Sequence, residues 1–460
     1  MDKVSRTITV YVTGNKCNLS CSYCYIKNSR YDEEIERIEL LYDINHMIKS
    51  FDASRIGGIA DITVIGNAET LLADSIIEFI HGLLKLGHVV SVVTNATISK
   101  RINELINIDK EYLKRLIVKA SFHYLELKRL GLIESYFENI RNIAESGASV
   151  YPFVTISNEY VPYIDEISRL CMKYLGIKPQ CSPCNKIDGI ESIMYKSEFE
   201  PVITEDLYAN LSEHFDMRIF DEIISNKKLD TQKHFCYAGK WGYGVNYKTG
   251  EMSKCHNIPI GINFYSDNNF MDKLEPVGCS CGIESCCLQY NFFSEGLLPD
   301  YWGNYLYGDM IYIDGYINEE VRDLLNVRFD ETYERFELID EYNIAISEKN
   351  KQITRLLHEN RYNYNPFFNE IIYKKQDEGK KIYIYGIGNK YKKYKHTIGF
   401  KVEGLIDTYK SGEYIDGKVI TNLEEIALDS SIFIVVTVIE RTEIDETLKA
   451  KGLVEGENYI

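Results

Sequence analysis

The sequence predicts an α/β protein: a partial barrel of strand–helix units, then a small cysteine-rich domain, a helical linker and a second, smaller α/β domain. Three observations carry this prediction. Strand-like apolar runs alternate with longer stretches of helical periodicity as far as about residue 180. Most of the twelve cysteines fall in two groups, at 17 to 24 and 236 to 287. The last 80 or so residues return to a strand, glycine turn, strand, strand, helix order. The expected boundaries are 1–229 for the barrel, 230–300 for the cysteine-rich domain, 301–378 for the linker and 379–460 for the last domain.

The first strand is RTITVYVT, and a cysteine loop follows it. ERIELLYDINHMIKSF then carries apolar residues at helical spacing. DITVIG (61–66) precedes a helix over about Leu71 to Leu86, and HVVSVVTN (88–95) precedes another. IVKASFHY (117–124) and SVYPFVTI (149–156) extend the series. Strand, helix, strand in repeated order implies parallel strands joined by right-handed crossovers. Chemistry in such folds gathers at the C-terminal ends of the strands. The segment from 230 to 300, with the strand-like WGYGVNY, is too small to bury much core without a metal staple. ETYERFELIDEYNIAISEKNKQITRLLHE (331–359) reads as an amphipathic linker helix.

Composition limits the function classes. A chain of 460 residues, 45% hydrophobic and 26% charged, is long enough for two or three domains with true cores. Sixty-nine acidic against fifty-two basic side chains give a net charge of −17, which argues against general binding to nucleic acid or anionic membranes. No apolar run reaches the roughly 18 residues that a membrane span needs, and the N-terminus lacks the features of a secretory signal. A cytoplasmic protein is expected. Cytosolic thiols stay reduced, so twelve cysteines there point to metal or redox chemistry rather than disulfides.

CNLSCSYC places Cys17, Cys21 and Cys24 within reach of one inorganic centre, one ligand short of a closed tetrahedral site. The C-x3-C-x2-C spacing, with Tyr23 just before the last cysteine, resembles the signature of the radical S-adenosylmethionine superfamily. That resemblance implies a partial (β/α) barrel in which these thiolates hold a 4Fe-4S cluster, with S-adenosylmethionine on the open iron. It also implies reductive cleavage of S-adenosylmethionine to a 5′-deoxyadenosyl radical that takes a hydrogen atom from the substrate. The cofactors supply the hard chemistry, and the protein orients them. The alternative is a zinc knuckle or buried free thiols; zinc would need a further ligand, and the nearest downstream histidine is His46.

Three strand ends extend the resemblance. Gly66-Asn67-Ala68-Glu69-Thr70 stands where the family carries Gly-Gly-Glu-Pro, which implies that its backbone and Glu69 help to hold the methionine amino group. Thr94-Asn95-Ala96-Thr97 resembles Thr-Asn-Gly-Thr. Ser121-Phe122-His123 places a serine where the family meets the carboxylate or ribose of S-adenosylmethionine, while His123 faces either substrate or the barrel rim. The implied cofactor contacts are therefore Tyr23, Gly66, Asn67, Ala68, Glu69, Asn95, Ser121 and His123.

Cys236, followed after 13 residues by Gly250 and after four more by Cys255, and then CSCGIESCC (279–287), resembles the twitch and SPASM extensions of that superfamily. One auxiliary 4Fe-4S cluster is implied, held by Cys236, Cys255, Cys279, Cys281 and Cys286 as candidates; adjacent Cys286 and Cys287 cannot easily both point at one cluster. A structural zinc on the same thiols is the alternative. Cys181-Ser-Pro-Cys184 is a lone CxxC, read as incidental thiols or a redox pair. In the last domain, Gly386-x-Gly388-x-x-Tyr391 lacks the third glycine of a dinucleotide fingerprint, although Asp407 lies 19 residues past Gly388. The unit resembles a Rossmann-like domain of surface-polysaccharide enzymes.

These readings imply two 4Fe-4S clusters, S-adenosylmethionine, a reducing partner such as flavodoxin or ferredoxin, and oxygen lability. The substrate expected is a small polar molecule such as a sugar or nucleotide-linked sugar, dehydrogenated or epimerised. The alternatives are a SPASM-type peptide or protein maturase and a degenerate, non-catalytic iron–sulfur protein.

Overall fold

The computed structural model describes residues 3–13, 17–24, 40–184, 199–226, 234–255, 259–279, 281, 290–299, 301, 303–335, 343–347, 370–388, 391–392, 395, 398–438, 442–454 and 457–460. The chain divides into two compact units, 1–351 and 352–460.

The first unit is built on one sheet. Its strands are β1 (Arg6–Val12), β2 (Ala60–Gly66), β3 (Val89–Thr94), β4 (Leu116–Ser121), β5 (Ser149–Ile156), β6 (Gln180–Pro183), β7 (Gly242–Asn246), β8 (Glu251–Ser253) and β9 (Pro259–Asn263). They lie in the order β6-β5-β4-β3-β2-β1-β7-β8-β9. Every pair from β6 to β7 is parallel, and only β8 runs against the rest, antiparallel to both β7 and β9. The fold class is therefore α/β with a large, mostly parallel sheet. Strands β7 to β9 come from the cysteine-rich segment and extend this same sheet.

Helices α1 (Ile44–Lys49), α2 (Ile76–Lys85), α3 (Ser99–Ile106), α4 (Tyr124–Leu130), α5 (Ile133–Ser146) and α6 (Ile164–Leu175) join the strands, and α7 (Tyr290–Ser294) follows later. Local chemistry trims several elements relative to the sequence reading. Asp43 accepts hydrogen bonds from the amides of Asn45 (2.9 Å) and His46 (3.3 Å), so α1 starts at Ile44. The helix expected from Leu71 splits into a 3-10 turn, Thr70–Leu72, and α2, with Ser75 at φ 55° between them. Strand β4 stops at Ser121, because the amide of Tyr124 bonds the carbonyl of Phe122 and opens α4. Most of the expected linker helix lies outside the described residues.

Strand register separates two faces with opposite chemistry. Ile8, Val10, Ile62, Val64, Val90, Val92, Val118, Ala120, Val150 and Val154 are fully buried against helix residues such as Phe79, Ile80, Leu83 and Ile140. Each of these valines and isoleucines contributes about 1.5–3 kcal/mol relative to exposure. The other face carries Thr7 opposite Asp61, Thr9 opposite Thr63, and Thr63 opposite Ser91. It continues through Val93 opposite Lys119, Ser121 opposite Phe153, and Thr155 opposite Ser182. Near the N-terminal ends these inward residues are sealed, as Thr7, Asp61, Ser91, Ser149 and Gln180 show. Toward the C-terminal ends Tyr11, Lys119, Ser121, Thr155, Ser182 and Asn246 are half-buried.

The second unit has the strands β10 (Lys381–Tyr385), β11 (Val402–Ile406), β12 (Tyr414–Ile415), β13 (Lys418–Thr421) and β14 (Ile432–Val436). Their order is β12-β13-β11-β10-β14, parallel except for β12. Helices α8 (Glu370–Asp377) and α9 (Thr442–Ala450) flank it in sequence. Both faces are apolar, with Ile382, Ile384, Leu405 and Phe433 in one core and Tyr385, Ile406, Ile434 and Val436 in the other. Gly386 has φ 99°, and a Cβ there would stand 2.3 Å from Val438 Cγ1, so the turn after β10 admits only glycine.

Candidate active site

Because β1 to β6 are parallel, the loops that follow them open on one edge of the sheet. The cysteine loop after β1 is tied to the ends of three other strands. Asn18 Nδ2 donates to Thr97 Oγ1 (2.8 Å), and Asn95 Nδ2 donates to Asn18 Oδ1 (2.9 Å), both beyond β3. The amide of Ser20 donates to Glu126 Oε1 (2.8 Å) on α4, and the Ser22 hydroxyl donates to the Glu159 carboxylate beyond β5. Tyr23 OH meets His123 Nδ1 at 2.5 Å, with Tyr160 set edge-on to its ring. Sequence reading identified Tyr23, Asn95 and His123. It missed Asn18, Glu126 and Glu159, which carry no spacing signal of their own.

Cys17 is exposed, while Cys21 and Cys24 are half-buried. Burial pushes Cys17 up, helped by the Glu69 and Cys24 charges. Burial also raises Cys21 to about 12, with Cys24, Cys17 and Glu126 adding to it. Cys17 and Cys21 are thus held protonated until a cation pays for the thiolates. Among the described residues no three His, Cys, Asp or Glu side chains converge on the position of a single metal ion. Three thiols on one tied loop fit a 4Fe-4S cluster with one iron left open, whereas a structural zinc site takes a fourth protein ligand.

Glu69 is the pivot of the neighbouring loop. Its Oε1 accepts from the Leu71 amide (3.0 Å) and Thr94 Oγ1 (2.6 Å), and its Oε2 accepts from the Asn95 amide (2.8 Å). Burial raises its pKa while these three bonds oppose the rise. The carboxylate thus staples the end of β2 to the end of β3. Gly66 N donates to Thr70 Oγ1 (2.9 Å), which closes the turn containing half-buried Asn67 and Ala68. Ala96 adopts φ 53° directly after Asn95, and its carbonyl accepts from buried Asn139 Nδ2 (2.8 Å). A non-glycine residue there carries strain of about 1–2 kcal/mol.

Ser121 is half-buried at the end of β4, next to this cluster. Burial lowers His123 to about 4, so its imidazole is neutral. Of the two sequence readings for His123, the observed partner is Tyr23 of the cysteine loop.

The second group of cysteines is also assembled by backbone pairing. Cys236 forms an isolated antiparallel bridge with Gly278, with bonds of 3.2 and 2.8 Å, which brings Cys279 alongside. Cys255 follows β8. Burial raises Cys236, and the Cys281 and Cys255 charges add to that rise. Cys236, Cys255, Cys279 and Cys281 thus come from one locality, while Cys286 lies outside the described residues. No disulfide joins any described cysteine. Cys181 faces the helix-side core with Cys171, away from both groups.

The incomplete dinucleotide fingerprint is used internally. Asp407 Oδ2 accepts from the Ile387 amide (2.7 Å), and Oδ1 accepts from the amides of Tyr409 (3.0 Å) and Lys410 (3.1 Å). Both oxygens close loops of the protein itself. Among the described residues no helix is long and apolar enough to cross a membrane.

No protein-family model matches the chain, and no curated protein matches it. Several solved structures do. SuiB of Streptococcus suis bound to the precursor peptide SuiA aligns with a TM-score of 0.41 at 10% identity, over 59% of this chain and 66% of that one. Native anSMEcpe with bound AdoMet gives 0.36 at 13% identity, covering 62% of this chain and 94% of that chain. BtrN in complex with AdoMet and 2-DOIA gives 0.24 at 12% identity, with 72% and 92% covered. The chain spans slightly less than two thirds of the SuiB structures it matches.

Proposed function

We propose that the protein is a radical S-adenosylmethionine enzyme that abstracts hydrogen from a small polar substrate, a sugar or nucleotide-linked sugar being the class favoured. The observation that carries this reading is the cysteine loop. Cys17, Cys21 and Cys24 follow β1 on a segment bonded to Asn95, Thr97, Glu126 and Glu159, at the C-terminal edge of a parallel sheet. When bound, the cluster and S-adenosylmethionine supply an electron and a carbon-centred hydrogen abstractor.

The chain's own residues do the rest. Cys17, Cys21 and Cys24 would hold three irons. The turn Gly66-Asn67-Ala68, fixed by Glu69 and Thr70, offers backbone groups to an amino acid moiety, and Ser121 and Asn95 lie beside it. Tyr23 and His123 hold the loop against the rim. The half-buried inward groups Tyr11, Lys119, Ser121, Thr155, Ser182 and Asn246 form a polar lining, which favours a hydroxylated substrate over an apolar one. Cys236, Cys255, Cys279 and Cys281, with Cys286 as a further candidate, would hold an auxiliary 4Fe-4S cluster, and a flavodoxin- or ferredoxin-type protein would supply electrons.

The test is anaerobic reconstitution, reduction, and assay for 5′-deoxyadenosine. The wild type should form it, and C17A/C21A/C24A should not, while keeping the auxiliary iron. Unchanged cleavage in the triple variant rejects the assignment. Stimulation by nucleotide sugars but not by peptides supports the substrate class, and the reverse result moves the protein to the peptide-maturase reading.

A further inference from the structure

Lys254 is only 4% exposed, directly before Cys255. An ammonium is expensive to remove from water and is kept where an anion compensates for it. Its surroundings bring together the segments that carry the second group of cysteines. Lys254 Nζ donates to the Pro276 carbonyl (2.9 Å), three residues before Cys279. Its stem packs on Gly239, three residues after Cys236, where φ is 94° and a Cβ would stand 2.6 Å from Lys254 Cγ and 2.5 Å from the Glu275 carbonyl. Gly239 leaves room for this lysine. Around it the amide of Val277 bonds the Ala238 carbonyl (2.8 Å), and Gly278 pairs with Cys236. A second cation, Lys240, reaches the Leu274 carbonyl (3.1 Å) on the same segment.

A hydrophobic side chain would pack this position without the cost of a buried charge. We infer that Lys254 is a positioning residue whose fixed positive charge sets the redox potential of an iron–sulfur centre held by Cys236, Cys255, Cys279 and Cys281. This inference rests on the auxiliary-cluster reading above. One-electron reduction adds a negative charge to a centre already surrounded by thiolates. A nearby ammonium stabilises that added charge, so it moves the potential of this centre in the positive direction.

The experiment is a redox titration of anaerobically reconstituted protein, followed by electron spin resonance, in the C17A/C21A/C24A background where only the auxiliary centre contributes. K254M should keep the iron and sulfide content of its parent and titrate at a more negative potential, whereas K254R should stay near the parent. Full cluster content in K254M with an unchanged midpoint overturns the inference. If K254M loses the iron, K254R and K254Q decide. Retention only in K254R supports the charge role; retention in both at the parent potential, or in neither, overturns it. Absence of iron from the C17A/C21A/C24A parent itself is a different result: it removes the auxiliary-cluster reading.

Discussion

Replacing Asp61 with asparagine should stabilise the protein in neutral and alkaline solution and leave it nearly unchanged in acid. Asp61 lies on the inward face of β2, fully buried, with neither oxygen hydrogen-bonded. Glu295, one residue beyond α7, is in the same state. Burial pushes Asp61 from 3.8 to about 7. Burial and the Asp61 charge together hold Glu295 well above the carboxylate range. The folded chain thus binds these protons more tightly than the unfolded chain does. The stability this contributes is complete below the ordinary carboxylate pKa and is lost as pH rises through about 7. At about 1.4 kcal/mol per pKa unit, the Asp61 rise amounts to about 4 kcal/mol. Asparagine keeps the shape, carries no charge to desolvate, and presents an amide that donates to Glu295. Urea unfolding of wild type and D61N, followed by far-ultraviolet circular dichroism, should show a gain of up to about 4 kcal/mol near pH 8 that falls to about 1–2 kcal/mol near pH 5 and toward zero below about pH 4. A variant less stable than wild type near pH 8, or one with equal gains at both pH values, refutes the reasoning.

Ala96→Gly should raise stability by about 1 kcal/mol by relieving the left-handed backbone after Asn95, read as an increase in the urea midpoint. Glu69→Gln leaves one acceptor oxygen for three donors, so at least one of Leu71, Thr94 and Asn95 faces an amide NH2. The expected cost is about 1–3 kcal/mol, with weaker S-adenosylmethionine binding by calorimetry; unaltered binding would show that the staple does not shape that turn. Gly386→Ala drives a Cβ to 2.3 Å from Val438 Cγ1 at φ 99°, and it should lower the melting temperature of the second unit with little change in S-adenosylmethionine cleavage.

By itself the sequence determined the elements, and marked the candidate ligands, whose information is local. RTITVYVT, DITVIG and HVVSVVTN formed strands because their β-branched residues alternate or run together, and a two-residue period needs no distant partner to be recognised. Cys17, Cys21 and Cys24 were legible because one loop carries all of them. Tertiary structure decided what depends on separation in sequence. The pairing of Cys236 with Gly278, the hold of Glu126 and Glu159 on the cysteine loop, and the burial of Asp61 against Glu295 join residues between about 40 and 230 positions apart, and no periodicity encodes such meetings. Asp407 shows the same limit from the other side. Its spacing from the glycine turn matched part of a dinucleotide fingerprint, yet with β10 and β11 side by side its Oδ2 takes the amide of Ile387, a buried backbone N–H that needs an acceptor.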